Sequence, residues 1–124
     1  MTRNGRMALD PAFRRLAAVF SLSLAVLTAP ASAEEFEVTI HHAELQEVTI
    51  KPRVGDTIRF VNHADIAHNL YLTYEDGGVE TLDTQPPRTT KHAVLRRAGH
   101  VVVRCWIHPI IRMELDVADK AASQ

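Results

Sequence analysis

Apolar and polar residues alternate with a period of two along several short stretches of this 124-residue chain. Residues 36–40, 47–51, 57–61 and 112–117 each follow that alternation, the signature of a strand with one buried face. Residues 69–73 and 90–95 read as further strands, and 101–105 is a β-branched run entered from Gly99. Turn chemistry separates these segments. Pro52 and Gly55 mark a turn over 52–56, and Glu75-Asp-Gly-Gly78 marks another. Residues 85–88 are expected as loop, because consecutive prolines cannot feed a central ladder. Residues 118–124 form a polar tail with weak helical character. Seven or so short strands without a convincing helix predict an all-β, antiparallel Greek-key β-sandwich, with barrel closure as the variant.

The first 33 residues depart from this pattern. Arg3, Arg6, Arg14 and Arg15 lead into an apolar run over 16–27, and Ala31-Ser32-Ala33 supplies the small residues a signal peptidase requires. The run is shorter than the roughly 20 residues of a membrane span. Residues 1–33 are therefore expected to be a cleaved secretory signal and 34–124 one exported, periplasmic domain with no stable membrane span, an uncleaved anchor being the competing reading. The Arg14-Arg15 pair leaves the general and twin-arginine routes both open. A mature chain of 91 residues suffices for one core and not for two.

Charge narrows the function classes. The leader takes four Arg and one Asp out of 14 and 15, leaving ten basic against fourteen acidic residues and a formal net charge of −4. No basic stripe is present, so nucleic-acid binding has no electrostatic support. Nor does the chain show a phosphate-binding Gly-rich loop, a nucleophile elbow or a carboxylate dyad, and an enzymatic role is not expected.

Cys105 is the single cysteine of an exported chain, so it cannot close an internal disulfide. By count alone it reads as an inert core residue, with an intermolecular disulfide or a ligand as alternatives. Its neighbours change that order. Cys105-Trp-Ile-His108-Pro109 follows the Val-rich strand directly, placing a thiolate and an imidazole in one tight loop. His68, in another loop straight after a strand, can reach the same end of a sandwich, and Met113 lies five residues beyond His108. Two imidazoles and a thiolate with a distant thioether suit one type 1 copper ion, whereas zinc more often takes four close ligands.

The stretch Val61-Asn-His-Ala-Asp-Ile-Ala-His68-Asn69 resembles the first copper loop of plastocyanin, amicyanin and pseudoazurin. Residues 105–113 resemble their second loop, with the C-x2-H-x4-M spacing of plastocyanin, and 51–62 resembles the entry strand of small cupredoxins. The Cys-x-Ile-His-Pro form is similar to plastocyanin-like proteins of methylamine utilisation. The resemblance implies equatorial ligands His68, Cys105 and His108, with Asn69 tying the two loops together. It also implies a monomeric carrier of single electrons that meets a dehydrogenase, cytochrome or oxidase near His108. Copper trafficking or resistance is the alternative function.

Three residues depart from the family pattern. Many Cys-x-Ile-His-Pro relatives carry methionine three residues after the histidine, where this chain has Ile111. Met113 is the expected axial ligand; if the loop is short, it packs beside Leu115 and Val117 instead and Ile111 leaves the axial position without a ligand. Ala67 stands where proline is common, and Trp106 where a small residue is common, with copper shielding, partner surface and plain packing all open to it. Of the remaining histidines, His41 and His42 fall at a strand end and point to opposite faces, with a second copper contact as the minor reading. His63, His92 and His100 read as solvated, and Tyr71 and Tyr74 as packing residues.

Overall fold

A computed structural model describes residues 21–27, 29 and 32–120. Most of the expected signal segment lies outside these residues. The apolar side chains of its described part, Leu22, Leu24, Val26 and Leu27, stand exposed. Among the described residues no helix is long and apolar enough to cross a membrane.

Among the described residues there are eight strands: β1 (Glu35–His41), β2 (Glu44–Leu45), β3 (Thr57–Asn62), β4 (His68–Tyr74), β5 (Val79–Gln85), β6 (Thr90–Val94), β7 (Gly99–Cys105) and β8 (Arg112–Val117). They make two four-stranded sheets, in the orders β2-β1-β3-β6 and β5-β4-β7-β8. The alternating pattern works as the sequence predicts: Val38, Ile40, Ile58, Phe60, Leu70, Leu72, Val101 and Val103 all point inward and are fully buried. Each such side chain contributes roughly 1.5–3 kcal/mol of burial free energy, which fixes the register of both sheets.

The structure differs from the sequence-based expectation in three places. The sandwich is not wholly antiparallel, because β1 runs parallel to β3, Val38 pairing with Phe60 and Ile40 with Asn62. Residues 47–51 do not form a strand, although Val48 and Ile50 do pack against the core. Their alternation records which side chains turn inward, and no ladder accompanies it. Conversely, β2 and β5 exist where no strand was predicted, and β5 includes Gln85. It pairs with β4 through an irregular register around Asn69 and Tyr71, and Asp83 adopts a φ of 60°. That kink breaks the alternation by which a strand is recognised.

Crossings between the sheets place the functional loops. The 63–67 loop carries the chain from β3 to β4, and 86–89 returns it from β5 to β6. Asn62, fully buried, joins the two: its Nδ2 donates to the carbonyls of Ile66 at 2.9 Å and of Gln85 and Pro86 at 3.2 Å each. Its Oδ1 accepts from the Ala64 amide at 2.9 Å. Gln85 Nε2 donates in turn to the carbonyls of Phe60 at 2.9 Å and Thr89 at 2.7 Å.

Candidate metal centre

His68 opens β4 and Cys105 closes β7, and the β4–β7 ladder begins at Leu70 opposite Cys105. The two side chains thus meet at one end of the core, 0% and 2% exposed. His108 reaches the same point from the loop between β7 and β8. Cys105 Sγ lies 3.9 Å from His68 Nδ1 and 3.8 Å from His108 Nδ1, and the two rings are tilted by 55° with centroids 4.8 Å apart. Among the described residues this is the one group of three or more His, Cys, Asp or Glu side chains whose ligand atoms converge.

The spacing fits a bound ion. With bonds of about 2.3 Å to sulfur and about 2.0 Å to nitrogen, donors at 120° stand about 3.7 Å apart and tetrahedral donors about 3.5 Å. The two sulfur–nitrogen separations leave room for one ion between the donors, as a His2Cys copper centre requires. They are also too long for strong hydrogen bonds, so coordination explains the cluster better than pairing among the three side chains does.

The surroundings suit a thiolate and neutral imidazoles. The Asn69 amide donates to Cys105 Sγ at 3.3 Å, and the Trp106 amide donates to the Asn69 carbonyl at 3.0 Å. Asn69 therefore ties the loops together through its main chain, while its side-chain Oδ1 is buried without a partner. Burial lowers the pKa of His68 below its ordinary 6.5, and the neighbouring His108 adds to that; the His42 main chain beside the ring works the other way. His42 sits at φ 51° in the two-residue turn between β1 and β2, and its left-handed conformation is held by the paired strands on either side. His68 Nε2 is buried and has no hydrogen-bond partner.

The second loop turns sharply. The Ile111 amide donates to the His108 carbonyl at 3.0 Å, closing a four-residue turn in which Pro109 presets the first central dihedral. The ladder resumes at once, Arg112 opposite Arg104 and Met113 opposite Val103. One step back along that register brings Ile111, 1% exposed, level with Cys105. Met113 packs further along, in the cleft shared with Leu45 and Val48. Trp106 turns outward, 58% exposed and stacked on Tyr71 with centroids 3.9 Å apart and 17° between the planes. Ile107 and Ile110 are exposed beside it. The role of Asn62 escaped sequence reasoning; its one signal was a polar residue at a position where the strand alternation calls for a buried one.

No protein-family model matches the chain. It is 68% identical over 114 residues to the methylamine utilization protein MauL of Methylorubrum extorquens, a match covering 92% of this chain and 100% of that protein. MauL of Methylophilus methylotrophus is 41% identical over 85 residues, covering 67% of this chain and 49% of the relative. MauL of Methylobacillus flagellatus is 38% identical over 93 residues, covering 69% and 59%. The chain thus spans about half to three-fifths of the length of these last two. Among solved structures, amicyanin from Paracoccus versutus superimposes with a TM-score of 0.58 at 21% identity, over 73% of this chain and 85% of amicyanin. An oxidized amicyanin variant gives 0.59 at 20% identity, over 67% and 81%. With a full-length match at 68% identity and a β-sandwich shared with amicyanin, the chain belongs to the MauL family of methylamine utilization proteins and has the cupredoxin fold.

Proposed function

We propose that the protein is an exported carrier of single electrons in methylamine utilization, and that His68, Cys105 and His108 hold one type 1 copper ion. The observation that carries this reading is the convergence of one sulfur and two imidazole nitrogens at 3.8–3.9 Å on a buried end of the sandwich. Bound there, copper supplies a one-electron couple between Cu(I) and Cu(II). The protein holds the three donors in place through β4, β7 and the Pro109 turn, so little rearrangement accompanies a change of charge. The Asn69 amide draws electron density from the sulfur, which favours the reduced state. Amicyanin, the fold neighbour, is known in oxidized and Cu(I) forms, in keeping with this reading.

In this reading Ile111, which comes level with Cys105, and not Met113, would be the side chain nearest a copper ion held by His68, Cys105 and His108. An aliphatic side chain there offers no donor, further favouring Cu(I). His108 is partly exposed, and Trp106, Ile107 and Ile110 of the same loop are exposed apolar side chains, so a redox partner docks at that loop. The same hydrophobic surround leaves no place for a substrate on the metal, and the protein acts as a carrier and not as an enzyme. Residues 1–33 are taken as the signal that delivers it to the periplasm.

Voltammetry and electron-exchange kinetics test this function. The proposal predicts a reversible one-electron wave and fast self-exchange of the copper-loaded protein. A sluggish, irreversible response from a fully loaded centre would exclude electron carriage.

A further inference from the structure

The outer face of the first sheet carries two imidazoles and a carboxylate in one row. His41 pairs with Glu44 across the β1–β2 hairpin. Ile40 pairs with Asn62 across the parallel β1–β3 ladder, and the His63 amide donates to the Ile40 carbonyl at 2.9 Å, so His63 comes alongside His41. Ile40 and Asn62 point into the core, which turns His41 and His63 outward together. Their rings stack with centroids 5.5 Å apart and 12° between planes. All three side chains of the row are exposed.

Two further observations separate this row from an ordinary solvated face. His92 and His100 each lie against carboxylates, Glu35 for the first and Glu114 and Asp116 for the second. Among the described residues His41 and His63 have no such ion pair and face each other instead. Thr39 Oγ1 lies 3.0 Å from His41 Nε2 and donates to Gln46 Oε1 at 2.9 Å, which orients that ring. In addition, His41 and Glu44 line a cleft of about 420 Å³ that reaches Ile111, the buried residue level with Cys105. Glu44 and His63 flank His41 from the strands on either side, each about 4.8 Å away, so the exposed side chains must rotate toward His41 to bring two imidazole nitrogens and a carboxylate oxygen onto one ion.

We propose that Glu44, His41 and His63 form a second, surface metal site for a first-row divalent ion, Cu(II) being the one such a nitrogen-rich site favours. The site gathers copper beside the wall of the buried centre. It needs three side chains to order on binding, so it holds the ion more weakly than the His68 centre does. It stands whether or not the buried centre carries electrons.

The test is a Cu(II) titration of the full chain followed by paramagnetic resonance and visible absorption. The expected result is a second equivalent with ordinary wide hyperfine splitting and no added intense band. That equivalent disappears in the His41→Gln/His63→Gln double variant, which keeps the visible band, and it survives in Cys105→Ser, which loses the band. Glu44→Gln raises the copper concentration needed for half-occupancy. With copper limiting, the visible band of the double variant grows in several-fold more slowly. Saturation of the intact chain at one equivalent, or a second equivalent unaffected by the double variant, overturns the site. An unchanged loading rate overturns its gathering role. The band reports the Cys105 centre, and the wide-splitting signal is assigned to the row by its loss in the double variant, so failures of the two proposals are told apart.

Discussion

Pro109 shapes the turn that decides which residue comes level with Cys105. By closing the turn from His108 to Ile111, it returns the chain to the β7–β8 ladder early enough that Ile111 comes level with Cys105 and Met113 falls opposite Val103. The sequence offered both residues for the axial position, because spacing alone does not reveal how tightly a loop closes. The account predicts that Met113→Leu leaves the visible spectrum of the copper protein unchanged and costs less than about 1.5 kcal/mol of stability, as swaps of similar volume do. Ile111→Met, by contrast, lowers the reduction potential and shifts the charge-transfer band, since it adds a thioether where none stood. A Met113→Leu spectrum altered as strongly as that of Ile111→Met would return Met113 to the axial role. The three equatorial residues needed no such decision. Their types and their places in or beside the two loops were legible in the chain, and the fold brings them together.

At the scale of elements, the ligand loops depend on a side chain outside the centre. Asn62 holds the 63–67 loop, which delivers His68, to the 86–89 crossing by four side-chain hydrogen bonds. Asn62→Ala strands buried carbonyls and the Ala64 amide, and is expected to cost on the order of 3 kcal/mol in urea denaturation of the metal-free protein. Copper should then leave faster to a chelator, because the loop before His68 loses its tether. Such a hub is invisible in a sequence, since its partners lie up to 24 residues away. The strands show the same division. Those with a regular buried face were readable, from β1 to β8. Residues 47–51 alternate without pairing, and β5 pairs without alternating, because its kink at Asp83 and its exposed edge remove the pattern. The parallel β1–β3 pairing was likewise unreadable, as side-chain alternation is the same in both strand directions.

The whole molecule responds to pH through opposing groups. In the metal-free protein, burial and His108 hold the His68 pKa below 6.5. The unfolded chain therefore takes up that proton first as pH falls. The His68 contribution is fully present above about 6.5 and is lost as pH drops toward the depressed folded value. His100 acts in reverse: its hydrogen bond with Asp116 raises its pKa, so its stabilisation is present at low pH and fades as pH rises through the raised value. The His68 effect is thus read as a difference: urea midpoints of the wild type should fall more steeply below pH 6.5 than those of His68→Gln.

The domain boundary gives another expectation at this scale. The Glu34 amide donates to Asp56 Oδ1 at 2.8 Å. Cleavage after Ala33 would leave β1 whole and turn that contact into an ion pair with the new α-ammonium. N-terminal sequencing of the exported protein should begin at Glu34.

The central claim is that the Cys105 thiolate and two imidazoles bind one copper ion as a trigonal centre. Its most direct test is visible absorption and paramagnetic resonance of the protein loaded with one equivalent of copper, beside Cys105→Ser. The account predicts an intense thiolate-to-copper charge-transfer band with narrow hyperfine splitting, both lost in the variant. A pale spectrum with ordinary splitting, the same in both proteins, would contradict it.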